Sequence, residues 1–294
     1  MKTGLFFLPL MLLLAACRQE QQPVQETAET YPAVWEITDE AGALEGWLFG
    51  TVHALPEELD WKSDLFDGIE ERADLLVVEV SGLDDRTQLE TQFQKLATDA
   101  PSLAPLAQRL GPAQRARLVG LLEKNGMDTA SLDGMETWAA ALALAQLGRI
   151  HPPEFGADKV LLGDFASREI FELEGAGPQL AIFDGLPEKE QVDLLLSVVE
   201  EVGRPRAERP DLAAIWSNGD LEKLEDITGE GMLADPELRE VLLVNRNRTW
   251  AAQIENLLTA APRPLIAVGA GHLLGPDGVP ALLEARGYTV RRIQ

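Results

Sequence analysis

A nearly continuous apolar run constrains the fold of this chain more than any other segment: Ala73-Asp74-Leu75-Leu76-Val77-Val78-Glu79-Val80. A strand of this composition has apolar side chains on both faces, so both faces must be covered, as in parallel sheets flanked by helices. Apolar residues at helical spacing precede it over residues 61–72. A helix followed by a fully buried strand predicts an α/β fold.

Further strand-like runs lie towards both ends of the chain, at residues 33–38, 46–52, 168–174, 264–270 and 288–293. The first two are separated by residues 39–42, which are typical of a hairpin turn. Helical spacing fills residues 86–166, and helices return over 187–259 and 279–286. We therefore predict a mixed α/β (α+β) domain whose central mixed β-sheet comes from the N- and C-terminal parts, with a large helical insert.

The amino terminus has the pattern of a targeting segment. Lys2 precedes an apolar stretch at residues 5–14, shorter than the roughly 20 residues that span a bilayer. The stretch ends in Leu14-Ala15-Ala16-Cys17, which resembles the lipobox of bacterial lipoproteins, where cleavage before the cysteine leaves it acylated. An ordinary secretory signal with an incidental cysteine is the alternative. We predict a signal peptide at residues 1–16 and a lipid anchor, with palmitate or a similar acyl chain, on Cys17.

The residues after Cys17 indicate how the chain is held. Arg18 fits the usual bacterial sorting pattern for the outer membrane, so we expect a lipid-anchored protein facing the periplasm. Residues 18–30 are rich in Gln and Glu and are typical of a flexible tether. The predicted organisation is a signal peptide at 1–16, an acylated cysteine and tether at 17–30, and one domain at 31–294. Because Cys17 is the only cysteine, this domain has no internal disulfide.

The charge excludes one class of partner. The chain has 49 acidic and 25 basic residues, a net charge of −24. Such a surface repels phosphate backbones, so nucleic acid is not an expected partner. The expected contact is the membrane, through the lipid anchor. No sequence feature points to a particular oligomeric state.

Two of the three histidines share one local pattern. Gly50-Thr51-Val52-His53 and Gly269-Ala270-Gly271-His272 each place G-x-x-H at the end of an apolar strand. In open α/β sheets ligands gather at the carboxyl ends of strands, where a glycine lets the chain bend and approach them. Imidazole is a common ligand of divalent transition metals. We predict that His53 and His272 face one another across a cleft and bind a divalent metal, whose identity these residues leave open.

Glu79 is the best candidate for a third ligand. It ends a strand otherwise made of Leu and Val, where an unpaired charge is costly. A salt bridge from Glu79 to Arg246 or Arg248 is an equally good explanation. Either histidine could also be a hydrogen-bonded packing residue, and His151 is expected in a loop. Three tryptophans are expected in the core: Trp138, Trp216 and Trp250.

With these residues identified, the sequence resembles the TraB/GumN family, which includes the TIKI proteases and is more distantly similar to the ChaN and EreA groups. The resemblance covers about residues 32–293. Its most specific parts are Gly50-Thr51-Val52-His53, Glu79, and Val268 to Leu273 with Gly275 and Gly278. Secondary matches are Trp138, Gly156 with Asp158, Leu173-Glu174 with Gln179, and Arg246-Asn247. Gly175 departs from the family pattern, in which Thr is common after the Leu-Glu pair.

The resemblance implies a metal-dependent, peptidase-like hydrolase of the bacterial envelope, with manganese or cobalt in TIKI-like members. Carried over to this chain, His53 and His272 hold the metal, and Glu79 is either the third ligand or the base that takes a proton from water. Arg246 stabilises the oxyanion or orients Glu79, with Asn247 beside it. Two alternatives stay open: a non-catalytic lipoprotein that binds a metal or small ligand, and an interaction protein that restrains a peptide signal.

Overall fold

The computed structural model describes residues 30–82, 86–98, 103–260 and 262–294. The predicted signal peptide, the predicted acylation site Cys17 and the predicted tether up to residue 29 lie outside the described residues. The described part contains six strands in one sheet: β1 (Val34–Thr38), β2 (Leu44–Thr51), β3 (Leu75–Val78), β4 (Glu169–Glu172), β5 (Pro264–Gly269) and β6 (Thr289–Arg292). Each strand lies within about two residues of its predicted ends, which confirms the predicted strands.

The sheet is mixed, as predicted, with the strand order β4-β3-β5-β2-β1-β6. β4, β3, β5 and β2 are parallel to one another, whereas β1 is antiparallel to both β2 and β6. In register, Thr51 of β2 pairs with Gly269 of β5, and Val78 of β3 pairs with Ala267 of β5. The four parallel strands therefore end at one edge, and the residues that follow them are brought together there.

Helices surround the sheet and form the insert. Those before β4 are α1 (Asp64–Arg72), α2 (Arg86–Ala97), α3 (Pro112–Lys124), α4 (Thr137–Ala145) and α5 (Ala157–Asp164). Those after it are α6 (Ala176–Asp184), α7 (Glu188–Gly203), α8 (Leu212–Ser217), α9 (Leu221–Thr228), α10 (Pro236–Arg239), α11 (Asn245–Thr259) and α12 (Val279–Glu284). A π-helical turn at Glu240–Val244 leads into α11. The predicted helical regions are confirmed, and α6 lies where the sequence patterns predicted no element.

The alternation of side chains along each strand divides the core between the two faces of the sheet. On one face Trp47 and Phe49 pack with Phe66 of α1 and with residues of α5 and α8. On the other face Leu48 packs with residues of α11 and α12, including Trp250. This double cover explains why β3 and β5 are apolar throughout.

The helical insert has a hydrophobic core of its own. Leu118 of α3, Trp138 of α4, Leu194 of α7 and Leu238 of α10 belong to it, and each is fully buried. Trp138, Trp216 and Trp250 are at most 2% exposed, which confirms the three predicted core tryptophans. No helix within the described ranges is long and apolar enough to cross a bilayer.

Candidate functional site

The predicted chemistry-bearing residues follow the parallel strands at their common edge. Glu79 comes directly after β3, His53 shortly after β2, and His272 shortly after β5. Because β5 lies between β2 and β3, the two histidines and the glutamate occupy neighbouring positions along that edge. A cleft of about 470 Å³ opens there, and His53, Glu79, Asp158 and Gln179 are among the residues that line it.

The two glycines of the G-x-x-H segments are required by close packing. A Cβ atom at Gly50 would lie 3.0 Å from the Cα atom of Ala270, in the segment after β5. A Cβ atom at Gly269 would lie 3.1 Å from Oε1 of Glu79. These distances are tighter than ordinary van der Waals contact, so each glycine makes room for a neighbouring strand end. The missing side chain at Gly269 also lets Glu79 reach the Gly269 N–H, which donates to Oε1 at 2.7 Å.

His272 is buried, and its tautomer follows from its partners. Asn247 donates from Nδ2 to the carbonyl of Asp277 at 2.8 Å, so its Oδ1 is the acceptor that lies 2.6 Å from Nδ1 of His272. His272 therefore carries its proton on Nδ1 and has a lone pair on Nε2. Its ring packs against Trp250 with centroids 4.4 Å apart. Burial lowers the pKa of His272 to about 4, so the ring is neutral at neutral pH.

Arg246 joins the ends of three strands through one guanidinium group. Its Nη2 donates to Oε2 of Glu79 at 2.7 Å, and its Nε donates to Oε1 of Glu174 at 2.9 Å. Its Nη1 lies 3.2 Å from Nε2 of His272 and donates to that lone pair. The side chains of Arg246, Glu79 and Glu174 are 11–13% exposed. Of the two arginines that the sequence offered Glu79, Arg246 makes the salt bridge.

Glu79 is held ionised by its neighbours. Burial alone would raise its pKa, but the combined effect of His272, Arg246 and the Gly269 N–H outweighs burial, and the pKa of Glu79 is lowered. At neutral pH His272 is uncharged, so Arg246 and the Gly269 N–H hold the carboxylate there. Oε2 also accepts from Nε2 of Gln179 at 3.1 Å. A carboxylate with both oxygens engaged and a lowered pKa is a weak base and a good anchor for cations.

His53 has a different environment from His272. Its side chain is 72% exposed, and its Nδ1 lies 3.1 Å from Oδ2 of Asp158 in α5. The hydrogen bond to Asp158 is the largest cause of the raised pKa of His53, and it outweighs the partial loss of hydration that the surrounding groups impose on the exposed ring. A side chain at Gly156 would overlap the His53 carbonyl, so this glycine lets the start of α5 approach. The backbone is fixed there by the Ala157 N–H, which donates to the Val52 carbonyl at 2.9 Å.

A comparison with known families shows the family of this chain. The family model described as "TraB/PrgY/gumN family" matches residues 33–292, nearly the whole chain. The chain belongs to this family. No curated protein and no solved structure gives a significant match. The resemblance inferred from the G-x-x-H segments and Glu79 is therefore confirmed at the level of the family.

In this TraB/PrgY/gumN protein, four of the five predicted site residues form one chain of contacts. Glu79, Arg246, His272 and Asn247 are linked in that order by hydrogen bonds of 2.7, 3.2 and 2.6 Å. His53 lines the same cleft as Glu79 and is held by Asp158. Within the described ranges, no three His, Cys, Asp or Glu side chains are grouped closely enough to hold a metal ion as they stand.

Three residues of this site received no role from the sequence, although each matched the family pattern. Glu174 follows β4 and could have been found by the argument used for Glu79, since it too is a carboxylate at the end of a strand-like run. Asp158 follows Gly156 at the start of α5, and this G-x-D pattern is a weaker signal. Gln179 lies in α6, the helix that was not predicted.

Proposed function

We propose that this TraB/PrgY/gumN protein is a metal-dependent hydrolase that acts on peptide-like substrates and is held to the outer membrane through an acylated Cys17. His53, His272 and Glu79 would bind one divalent ion, Mn, Co or Zn. One observation carries the proposal: the Nδ1 atoms of His53 and His272 are each bonded to an oxygen from another element, Asp158 and Asn247. Histidines that bind metals through Nε2 are typically oriented in this way.

The donor set fits such an ion. Two imidazoles and one carboxylate are suited to Mn, Co and Zn. Oδ1 of Asp158 is buried and has no hydrogen-bond partner in the described part of the chain, which leaves an unpaired acceptor on the residue that holds His53. Arg246 with Glu79 and Glu174 has a net negative charge, which favours a cation nearby. His272 would have to exchange its contact with Nη1 of Arg246 for the ion.

Glu79 and Arg246 would have different roles beside a bound ion. A bound ion supplies Lewis-acid activation of water and of the substrate carbonyl. The lowered pKa of Glu79 favours the role of ligand over that of base, the two roles that the resemblance left open. The N–H groups of Arg246 are all engaged, by Glu79, Glu174, His272 and the Leu242 carbonyl. This favours the role of orienting Glu79 over that of stabilising an oxyanion, the two roles that the resemblance left open.

Metal analysis of the full chain tests this proposal. Wild type should retain about one divalent ion per chain after gel filtration, and the His53→Ala, His272→Ala double variant should retain none, since such sites need several ligands. His151→Ala is the matched control, because it removes the third histidine, which lies in a bend outside the site. Equal metal content in wild type and the double variant would remove the metal site.

One observation favours a second candidate, a protein that binds a metal or small ligand without turnover. Both oxygens of Glu79 accept hydrogen bonds and its pKa is lowered, which suits a carboxylate that holds a cation rather than one that takes a proton from water. The metal-loaded wild type, incubated with a peptide library and followed by mass spectrometry, separates the two candidates. Stoichiometric metal with an intact library would favour the binding protein, and cleavage lost in the double variant would favour the hydrolase.

A further inference from the structure

An apolar pocket adjoins the cleft of the candidate metal site. It has a volume of about 620 Å³, in the range of small-molecule sites. Its walls come from the end of β3 and from α2, α4 and α6. We call it the apolar pocket. Its principal side chains are Val80, Leu89, Phe93, Leu142 and Leu180. The cleft itself is lined largely by charged and polar side chains, so the two cavities differ in chemistry.

The floor of the apolar pocket is fixed by the core of the insert. The ring of Phe93 meets the ring of Trp138 edge-on, with centroids 5.6 Å apart and an angle of 79° between the planes. Trp138 is fully buried, and its Nε1 donates to Asp184 at 3.3 Å. Because a buried indole positions Phe93, the pocket is formed before any ligand arrives.

The pocket and the cleft are adjacent. Val80, Leu89 and Gln179 line both of them. Gln179 donates to Oε2 of Glu79 at 3.1 Å, so one side chain separates the apolar pocket from the carboxylate of the candidate metal site. A substrate whose reacting bond lies at Glu79 would therefore place a neighbouring group in the pocket.

The lining of the pocket indicates the chemistry of that group. Leu89, Phe93, Leu142 and Leu180 are only partly buried, and burying apolar surface of this kind stabilises a complex. Glu90 also lines the pocket, and the net charge of the chain is −24, so an acidic group is repelled. The segment 18–29 of the chain does not match the pocket, since it contains no Leu, Ile, Met or aromatic residue.

We propose that the apolar pocket is a specificity subsite that binds a bulky apolar side chain, of the size of Leu or Phe, next to the bond of a peptide that is cleaved at the metal site, and that it rejects acidic side chains. The subsite rests on the proposed hydrolase for the identity of the reacting centre. Its preference for apolar side chains is a property of binding and can be measured without turnover.

Two variants change the pocket in opposite directions. Ala143→Phe places a ring into it from α4, and Leu180→Ala enlarges it from α6. The matched control is Ala252→Phe, which makes the same change at an exposed position of α11. Leu180→Ala keeps the proposal testable if Ala143→Phe fails to fold, because widening should shift the preference from Leu towards Trp.

Binding is measured first, on the full chain stripped of metal with EDTA and kept free of detergent, since detergent would itself fill an apolar pocket. The probes are blocked octapeptides with one variable position in a Gly and Ser background, and Kd is measured by ligand-observed NMR. Wild type and Ala252→Phe should bind the Phe and Leu peptides tenfold or more tighter than the Ser peptide and bind the Glu peptide most weakly. Ala143→Phe should remove the difference between Phe and Ser.

Equal binding of the Phe, Ser and Glu peptides by wild type would overturn the subsite, as would an unchanged preference in Ala143→Phe. The subsite would also be overturned if sedimentation showed that wild type is a dimer and that Ala143→Phe dissociates it, because a second copy of the chain would then cover the pocket. Cleavage assays with Mn, Co and Zn separate this proposal from the hydrolase. Apolar preference in binding without cleavage of any peptide would keep the subsite and overturn the hydrolase. Cleavage without apolar preference would keep the hydrolase and overturn the subsite.

Discussion

The two G-x-x-H segments have the same spacing and lie on neighbouring strands, yet their histidines have opposite environments. The His53 side chain is 72% exposed and bonds to the carboxylate of Asp158, whereas residue His272 is 7% exposed and bonds to the amide of Asn247. The carboxylate favours the protonated ring of His53, while burial and a neutral acceptor favour the neutral ring of His272. The motif thus fixes where each histidine lies, and distant residues fix its charge.

This difference has a consequence for metal binding. A metal ligand must be an unprotonated nitrogen, and the Nε2 atom of His272 already meets that condition at neutral pH. The pKa of His53 is raised by Asp158, so a fraction of His53 has to lose a proton before it can bind an ion. Metal binding at this site would therefore be accompanied by proton release, and His53 would be its main source.

The largest effect on stability is expected from the removal of Arg246, which contacts His272 but not His53. Arg246→Ala leaves Glu79 and Glu174 without their guanidinium partner at positions only 13% and 11% exposed. Breaking one partner of a buried ion pair costs about 3–5 kcal/mol, so we expect a loss of that size in the free energy of unfolding by urea. Arg248→Ala is the control, because its pair with Glu240 is exposed and should contribute less than about 1 kcal/mol. A loss as small as that of the control would show that this network does not hold the strand ends together.

The two histidines should give opposite dependences of stability on pH. The folded pKa of His272 is about 4, against 6.5 in the unfolded chain, so the unfolded state binds the extra proton between these values. Its contribution is fully present above pH 6.5 and is lost as the pH falls towards 4, by about 3 kcal/mol. The folded pKa of His53 is raised, so its contribution is present below pH 6.5, is lost as the pH rises through the folded pKa, and is small because the ring is exposed.

Urea unfolding of the metal-free chain between pH 4.5 and pH 8 tests the direction in which each histidine makes stability depend on pH. His272→Gln should flatten the fall in stability on the acid side, and His53→Gln should leave that fall in place. The difference from wild type isolates each ring from the carboxylates that titrate in the same range. An unchanged acid slope in His272→Gln would mean that the ring is not buried in its neutral form.

The fold was largely predictable because its strands are marked by local composition. The apolar runs that became β3 and β5 are apolar on both faces, since helices cover both, and no other element shows this pattern as clearly. Helix α6 was missed because it begins with Ala176-Gly177-Pro178, residues that also suit a loop, although Pro is tolerated in the first turn of a helix. Its apolar residues also do not gather on one face, so the helical period is weak.

The position of the site in the fold could be predicted from the sequence, but the protonation states of its two histidines could not. Parallel strands end at one edge, so His53, Glu79 and His272 could be placed together from the sequence. Their partners could not be placed in this way, because Asp158 is 105 residues from His53 in the chain and Gln179 is 100 residues from Glu79. The pKa of a histidine depends on such partners and on burial, and both are set by the packing of the insert and α5 against the sheet.

The smallest effect on stability is expected when the partner of His53 is made to resemble that of His272. Asp158→Asn keeps an acceptor for Nδ1 but removes the charge that raises the pKa of His53, so that pKa should fall. Stability should change by less than about 1 kcal/mol, since the pair includes a ring that is 72% exposed.

The pKa of His53 can be measured directly from imidazole nitrogen chemical shifts, followed by NMR against pH in the metal-free chain. The signals of His272 serve as the internal reference and should move much less, because burial is the largest cause that lowers its pKa and the charge of His53 is the smallest. An unchanged titration of His53 in Asp158→Asn would show that Asp158 does not set its charge, and the contrast between the two segments would then rest on burial alone.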